Sequence, residues 1–246
     1  MAFTIAISGK GGSGKTTLAA MIIRALLERA DKGAVLAVDA DPNSCLGLTL
    51  GVEPVGIVAE IREKARAQAP SNAGMDRVRS VEYGIQQAIT EARGFDLLTM
   101  GQPEGPSCYC AVNNMLRKFL DGLGSQYKYV VIDNEAGMEH LSRRTTNNVD
   151  VLCIVAEPTA VGEVTARRIF TLARKLPITV KRIGVLWSRS DQSKELDEID
   201  VLGHIPYDEG VCDAAMQGKT VFDLEDDSPA FAAARNILED MMVLNA

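Results

Sequence analysis

The chain has 246 residues, 46% of them hydrophobic, and its 26 lysines and arginines against 33 aspartates and glutamates give a formal net charge of −7. That length suits one large α/β domain spanning residues 1–246, without an interdomain linker or internal repeat. The acidic balance, the lack of any basic block or of an apolar stretch near the ~20 residues that cross a bilayer, and an odd five cysteines behind no signal-peptide pattern argue against nucleic-acid binding, membrane insertion and a disulfide framework, and for a cytoplasmic protein.

Short apolar runs alternate with amphipathic stretches, which predicts a mostly parallel β-sheet flanked by helices on both faces. The first strand, Thr4–Ser8, leads into Ser8-Gly9-Lys10-Gly11-Gly12-Ser13-Gly14-Lys15-Thr16-Thr17, a phosphate-binding loop in its required place between a strand and a helix. Its glycines let backbone N–H groups of residues 9–14 and the helix N-terminus face phosphate oxygens. Lys15 is expected on the β- and γ-phosphates, Thr16 in the magnesium shell, and Thr17 as a cap of the helix Lys15–Arg29. A glycine-rich turn that merely caps a helix would need neither Lys15 nor Thr16.

The second strand, Ala34–Asp39, ends in Val38-Asp39-Ala40-Asp41-Pro42-Asn43. If the segment stays extended, Asp39 and Asp41 share a side and both address the magnesium and its water. A plain strand-ending turn would favour the same residue types. Helices follow at Val55–Ala67 and Tyr83–Ala92, then a strand at Asp96–Gly101.

Next comes Gly105-Pro106-Ser107-Cys108-Tyr109-Cys110, ahead of a helix at Ala111–Leu123. Two cysteines are half of a four-thiolate metal site, and a two-fold axis through the loop would supply the other half. Soft ligands of this kind suit zinc, square-planar nickel or an iron–sulfur cluster. The competing reading is a pair of reduced or redox-sensitive thiols. Cys45, Cys153 and Cys212 read as inert small apolar groups.

The fourth strand, Tyr129–Asp133, is an apolar run closing on Asp133, which looks like a Walker B element holding a magnesium-bound water. Gly137 beyond it gives the following loop freedom to move. Strands at Val151–Ala156, Arg182–Trp187 and Val201–Ile205 and helices at Val161–Lys175 and Ala230–Val243 complete the pattern. His140 and His204 lack metal-pair spacing and read as structural.

Lys10, a second lysine just after the first loop glycine, resembles the deviant Walker A ATPases, the group of MinD, ParA and the nitrogenase iron protein. The resemblance implies a face-to-face homodimer with ATP between the copies and Lys10 on the partner's nucleotide. It makes Asp41 the residue that orients the attacking water and Asp39 a magnesium partner, so Lys10, Lys15 and Asp41 form the expected catalytic set. Adenine is usually read by an asparagine at the end of strand six. Here Ser188 stands in that place, and Pro206 is expected to line the base through its backbone.

The cysteine segment, together with Asp133-Asn134-Glu135-Ala136-Gly137-Met138-Glu139-His140-Leu141-Ser142-Arg143-Arg144, resembles the CooC family, accessory ATPases for nickel insertion into carbon monoxide dehydrogenase. What that family implies is an ATP- and magnesium-dependent dimer binding Ni(II), or zinc as a substitute, through Cys108 and Cys110, with that dehydrogenase as client. A maturation factor for acetyl-CoA synthase is barely separable from this. A MinD- or ParA-like positioning ATPase would need an amphipathic tail or a basic surface, and neither is evident.

Overall fold

β1 (Phe3–Gly9) is buried along nearly its whole length, as a strand in the middle of a parallel sheet must be. The structure is a computed structural model and describes residues 2–30, 33–67, 83–101, 126–135, 148–176 and 178–243. The other strands are β2 (Val35–Ala40), β3 (Thr90–Glu91), β4 (Phe95–Thr99), β5 (Tyr129–Asn134), β6 (Asn148–Ala156), β7 (Thr179–Ser188) and β8 (Asp200–Ile205). They lie in the order β3-β4-β2-β5-β1-β6-β7-β8. All pairs are parallel except β3 with β4. The chain leaves β1 toward β2 and β4 on one side, while β6 to β8 extend on the other. The carboxyl end of β1 therefore sits where the strand order reverses, the place where open α/β sheets bind ligands.

Helices α1 (Lys15–Glu28), α2 (Leu46–Leu50), α3 (Val58–Ala67), α4 (Ala160–Ala173), α5 (Glu209–Met216) and α6 (Pro229–Val243) cover the sheet. On one face Leu18, Met21, Ile22 and Leu26 of α1 and Phe231, Ala234 and Leu238 of α6 pack on Ile5, Ile7, Val131 and Cys153. The opposite face buries Ala166 and Ile169 of α4, with Val58, Ile85 and Ala88, on Ala6, Leu36, Ile132 and Ile154. Each such Leu, Ile or Met contributes roughly 1.5–3 kcal/mol by leaving water.

Three expectations need correction. The helix expected over Tyr83–Ala92 is helical only over residues 83–88. Gly94, at a φ of 98°, closes a tight turn in which Ala92 N–H donates to Phe95 O at 2.9 Å, folding Thr90–Glu91 back as an antiparallel edge. The helix expected from Val55 starts at Val58, because Ile57 bridges to Thr99 at the end of β4. Two short helices, α2 and α5, went unpredicted at 5 and 8 residues. The expected helix Ala111–Leu123 lies outside the described residues.

Candidate functional site

Residues 9–14 turn from the end of β1 into α1 with the backbone pressed against its neighbour. A Cβ on Gly9 would lie 2.3 Å from Val155 O. Gly12 and Gly14 hold φ values of 77° and 91°, a region that favours glycine. Gly14 is the N-cap of α1 and no side chain caps this end, so the orphan N–H groups of the first turn remain for an anion. The expectation that Thr17 caps the helix is thereby corrected: Thr17 stands within α1 and lines an adjoining cavity. Lys15 is only 6% exposed, and its Nζ reaches Lys10 O at 3.3 Å. Lys10 itself is exposed. A buried ammonium whose hydrogen-bond partner is a backbone carbonyl favours a neighbouring anion.

Beside the loop a row of polar side chains crosses three strands. Asp39 pairs with Thr99 of β4 on one side and Asp133 of β5 on the other, and paired residues of a sheet share a face. Asp39 and Asp133 are fully buried. Asp133 Oδ2 accepts a 2.6 Å hydrogen bond from Thr16 Oγ1. Asp39 accepts from Leu46 N–H at 2.9 Å and from Asp41 N–H at 3.3 Å. Burial pushes Asp133 up to about 7, against the pull of the Thr16 bond, and Asp39 up to about 6, against its backbone donors. The negative charges of Asp39 and Asp41 add to the rise at Asp133.

Among the described residues, Asp133 Oδ1, Thr99 Oγ1, Ser13 Oγ and Asn134 Oδ1 are buried without a hydrogen-bond partner. Such atoms are rare in folded proteins and call for an explanation. Four at the carboxyl ends of β4 and β5 and in the loop fit a magnesium–phosphate group. No cluster of three or more His, Cys, Asp or Glu among the described residues could hold a metal unaided. That suits magnesium, which takes few carboxylates and completes its shell with phosphate oxygens and water.

Asp41 is placed differently from expectation. β2 ends at Ala40, so strand alternation does not reach Asp41. Its Oδ1 instead accepts from Asn43 N–H and Nδ2, both at 2.9 Å, in a turn the chain makes for itself. Asn134, next to Asp133, donates through Nδ2 to Ile7 O at 2.9 Å. It thus ties β5 to β1 directly before the loop.

A cavity of about 210 Å³ opens on the other side of the loop. Ser13, Gly14 and Thr17 form one wall, Val155, Leu186 and Ser188 the floor, and Pro206, Tyr207 and α5 the far wall. Ser188 and Pro206, the residues expected at the base, line this cavity together with the loop residues Ser13 and Gly14. Tyr207, the neighbour of Pro206, lines the cavity as well, and so does Cys212, which the sequence reads as an inert small group; the intervening Asp208 starts α5, its carboxylate accepting from Gly210 N–H at 2.9 Å. Cys153 is buried within β6, its thiol pushed up to about 12 by burial. Cys45, expected to be a small packed group, is exposed instead. His204 Nδ1 lies 3.0 Å from Ser193 Oγ. Cys108, Cys110, Gly137 and His140 lie outside the described residues.

The family model for the CobQ/CobB/MinD/ParA nucleotide binding domain (CbiA) matches residues 4–221. The chain belongs to this family. As a CobQ/CobB/MinD/ParA member it is an ATP-binding ATPase. An uncharacterized ATP-binding protein of Methanocaldococcus jannaschii is 38% identical over 250 residues, covering 97% of this chain and 98% of the relative. The carbon monoxide dehydrogenase accessory protein CooC of Rhodospirillum rubrum is 34% identical, covering 92% and 90%. The crystal structure of the cell division ATPase MinD of Pyrococcus furiosus shares the fold, with a TM-score of 0.71 at 22% identity and coverage of 99% and 100%. Among the described residues no helix is long and apolar enough to cross a membrane.

Proposed function

We propose that this ATPase is a cytoplasmic metal-delivery factor of the CooC kind. Two copies bind Ni(II), or zinc as a substitute, through Cys108 and Cys110 of each, and couple ATP hydrolysis to nickel insertion into carbon monoxide dehydrogenase. The observation that carries this reading is a backbone hydrogen bond. Met100 N–H donates to Asp39 O at 2.8 Å, which ties the strand end bearing the buried carboxylate to the root of the segment that carries Cys108 and Cys110. Met100 O accepts in turn from Ala59 N–H at 3.0 Å, so that root is held from both sides. The likeness to CooC over nine-tenths of both chains supports the client.

In this reading the loop N–H groups and Lys15 hold the phosphates, and Thr16, Asp133 and Asp39 are the residues that would hold magnesium, whose charge would offset that of the phosphate oxygens. Asp41 orients water for attack on the γ-phosphorus, Lys15 stabilises the negative charge left on ADP, and the exposed Lys10 reaches the partner copy's phosphates. Loss of the γ-phosphate changes what Asp39 and Asp41 face, and the Asp39–Met100 bond passes that change to the cysteine segment. ATP and metal then favour the same closed dimer, and each raises affinity for the other.

The test is Ni(II) titration of the reduced protein with and without ATP, with mass measured in parallel, against a Cys108→Ala, Cys110→Ala double variant. One metal per two chains, tightened by ATP and lost in the variant, is expected. Equal affinity with and without ATP would remove the coupling. A positioning ATPase of the MinD or ParA type would use the same phosphate-site residues and take up no nickel, so the same titration separates the two.

A further inference from the structure

Helix α4 turns one side to the sheet and the other to solvent. Ala166, Ile169 and Ala173 are its buried face, packed in the core beneath it. Positions 161, 164, 168, 172 and 175 recur at steps of three or four, so Val161, Val164, Arg168, Leu172 and Lys175 run in one line along the opposite side. Val161, Val164 and Leu172 are 60%, 50% and 43% exposed. Single exposed apolar residues are ordinary, but three in line on one helix form a patch of the kind that marks an interaction surface. A shallow groove of about 430 Å³ follows this line, bordered by Val164, Arg167, Arg168, Thr171, Leu172 and Lys175.

The charge of the groove is opposite to that of the molecule. The chain carries a formal net −7, yet Arg167, Arg168 and Lys175 border the groove and, among the described residues, no acidic side chain does. The one carboxylate on α4, Glu163, is tied to Lys194. Arg167 donates to the backbone carbonyl of Asp197 at 3.2 Å, and among the described residues none of the three cations has a carboxylate partner. Long basic side chains beside exposed apolar ones, their charges unneutralised, fit a partner that brings both apolar side chains and carboxylates.

The width of the line fixes the form of that partner. An anionic bilayer takes a broad apolar face sunk among its lipids, and nucleic acid takes a longer run of cations to replace the counterions of several phosphates. Here the apolar line is one residue wide and interrupted by Arg168, which matches a second helix lying along the first with anchors at every third or fourth position. Because α4 is already folded against the sheet, its side of the contact needs little ordering.

We infer that the outer face of α4 is a docking site for an acidic amphipathic helix of another protein, whose apolar side chains sit against Val161, Val164 and Leu172 while its carboxylates meet Arg167, Arg168 and Lys175. None of these residues belongs to the phosphate site, so the inference stands apart from both ATP hydrolysis and metal delivery.

A synthetic helical peptide as long as α4, with leucines at steps of three and four flanked by glutamates, tests it. Binding to the full chain is followed by fluorescence anisotropy, beside the same peptide with lysines for glutamates, phosphatidylserine vesicles and a DNA duplex of arbitrary sequence. The glutamate peptide should bind and the lysine peptide should not. A triple variant, Arg167→Glu, Arg168→Glu and Lys175→Glu, should weaken the glutamate peptide about tenfold, the sum of three exposed ion pairs, and should gain the lysine peptide, which a misfolded protein would not do. Leu172→Ser should also weaken the glutamate peptide about tenfold, through one lost apolar anchor, and both variants should hydrolyse ATP at the wild-type rate. The inference is overturned if the wild type fails to bind the glutamate peptide or binds both peptides equally, or if neither variant weakens binding. Tighter binding of vesicles or duplex that is lost in the triple variant, or a self-association lost in Leu172→Ser, would likewise overturn it by giving the face to another occupant.

Discussion

Thr16 Oγ1 and Asp133 Oδ2 lie 2.6 Å apart, a hydrogen bond that joins the first turn of α1 to the end of β5. The hydroxyl donates to a carboxylate whose other oxygen has no partner among the described residues. Asp133→Asn keeps an acceptor for Thr16 but removes the charge that a cation needs. ATP hydrolysis should fall by about 100-fold or more, the usual scale for losing one electrostatic contributor to a transition state. Nucleotide-free stability at pH 8 should rise, because a buried charge is gone. Phosphate release and thermal melting check the two halves, and a variant with normal turnover would remove Asp133 from the site.

The raised carboxylates give stability a pH dependence of defined sign. Folded Asp133 and Asp39 keep their protons up to about 7 and about 6, whereas an unfolded chain releases them near ~4. Between those limits the folded state binds more protons than the unfolded state, so stability falls as pH rises through the window and levels off above it. Asp208, held below the ordinary value by Ser228, Ala230 and Gly210 in spite of its burial, contributes stability that is lost only on acidification. The nucleotide-free protein should therefore resist urea better at pH 5 than at pH 8, and Asp133→Asn should flatten the profile. Stability that instead climbs across this range would contradict the assignment.

Lys15 and Lys10 should separate binding from catalysis. Lys15 is buried against the loop and Lys10 is exposed, so Lys15→Ala should abolish ATP binding. Lys10→Ala should bind ATP nearly as the wild type does, yet lose turnover and ATP-dependent dimerisation. Calorimetry and sedimentation velocity read both. A Lys10→Ala protein that still dimerises on ATP and hydrolyses it normally would refute a role across a subunit boundary.

Arg24, buried on α1, holds the segment beyond α5 in place. Its guanidinium donates to Val221 O at 2.9 Å and Leu224 O at 2.8 Å, pairs with Asp226 at 2.5 Å, and lies 4.0 Å from the centroid of the Phe231 ring. Removing it strands two carbonyls, so Arg24→Ala should cost about 3 kcal/mol. Arg24→Lys should recover little, since an ammonium cannot fork between these acceptors. Urea midpoints measure this, and a loss below ~1 kcal/mol would show the contact to be incidental.

The phosphate loop, the long helices and the strands that carry Asp39 and Asp133 near their ends were legible because each is written in contiguous residues. Glycine spacing, a lysine–threonine pair and an apolar run closing on an aspartate need no distant partner to be read. β3 was not legible, because two residues become a strand only when the turn at Gly94 lays them on β4. α5 escaped for a similar reason: its eight residues follow Asp208, which is itself held by Ser228 and Ala230 of a later segment.

By itself, then, the amino-acid order determined a nucleotide-binding α/β sheet and the residues at its strand ends, since hydrophobic period and glycine placement act locally. Only the tertiary structure decided that Thr99, Asp39 and Asp133 form one buried row, that Asp41 sits in a turn of its own, and that Tyr207 closes a cavity beginning at Ser13. Those relationships depend on strand register and helix packing between segments distant in the chain, where burial and unshared hydrogen bonds set the chemistry.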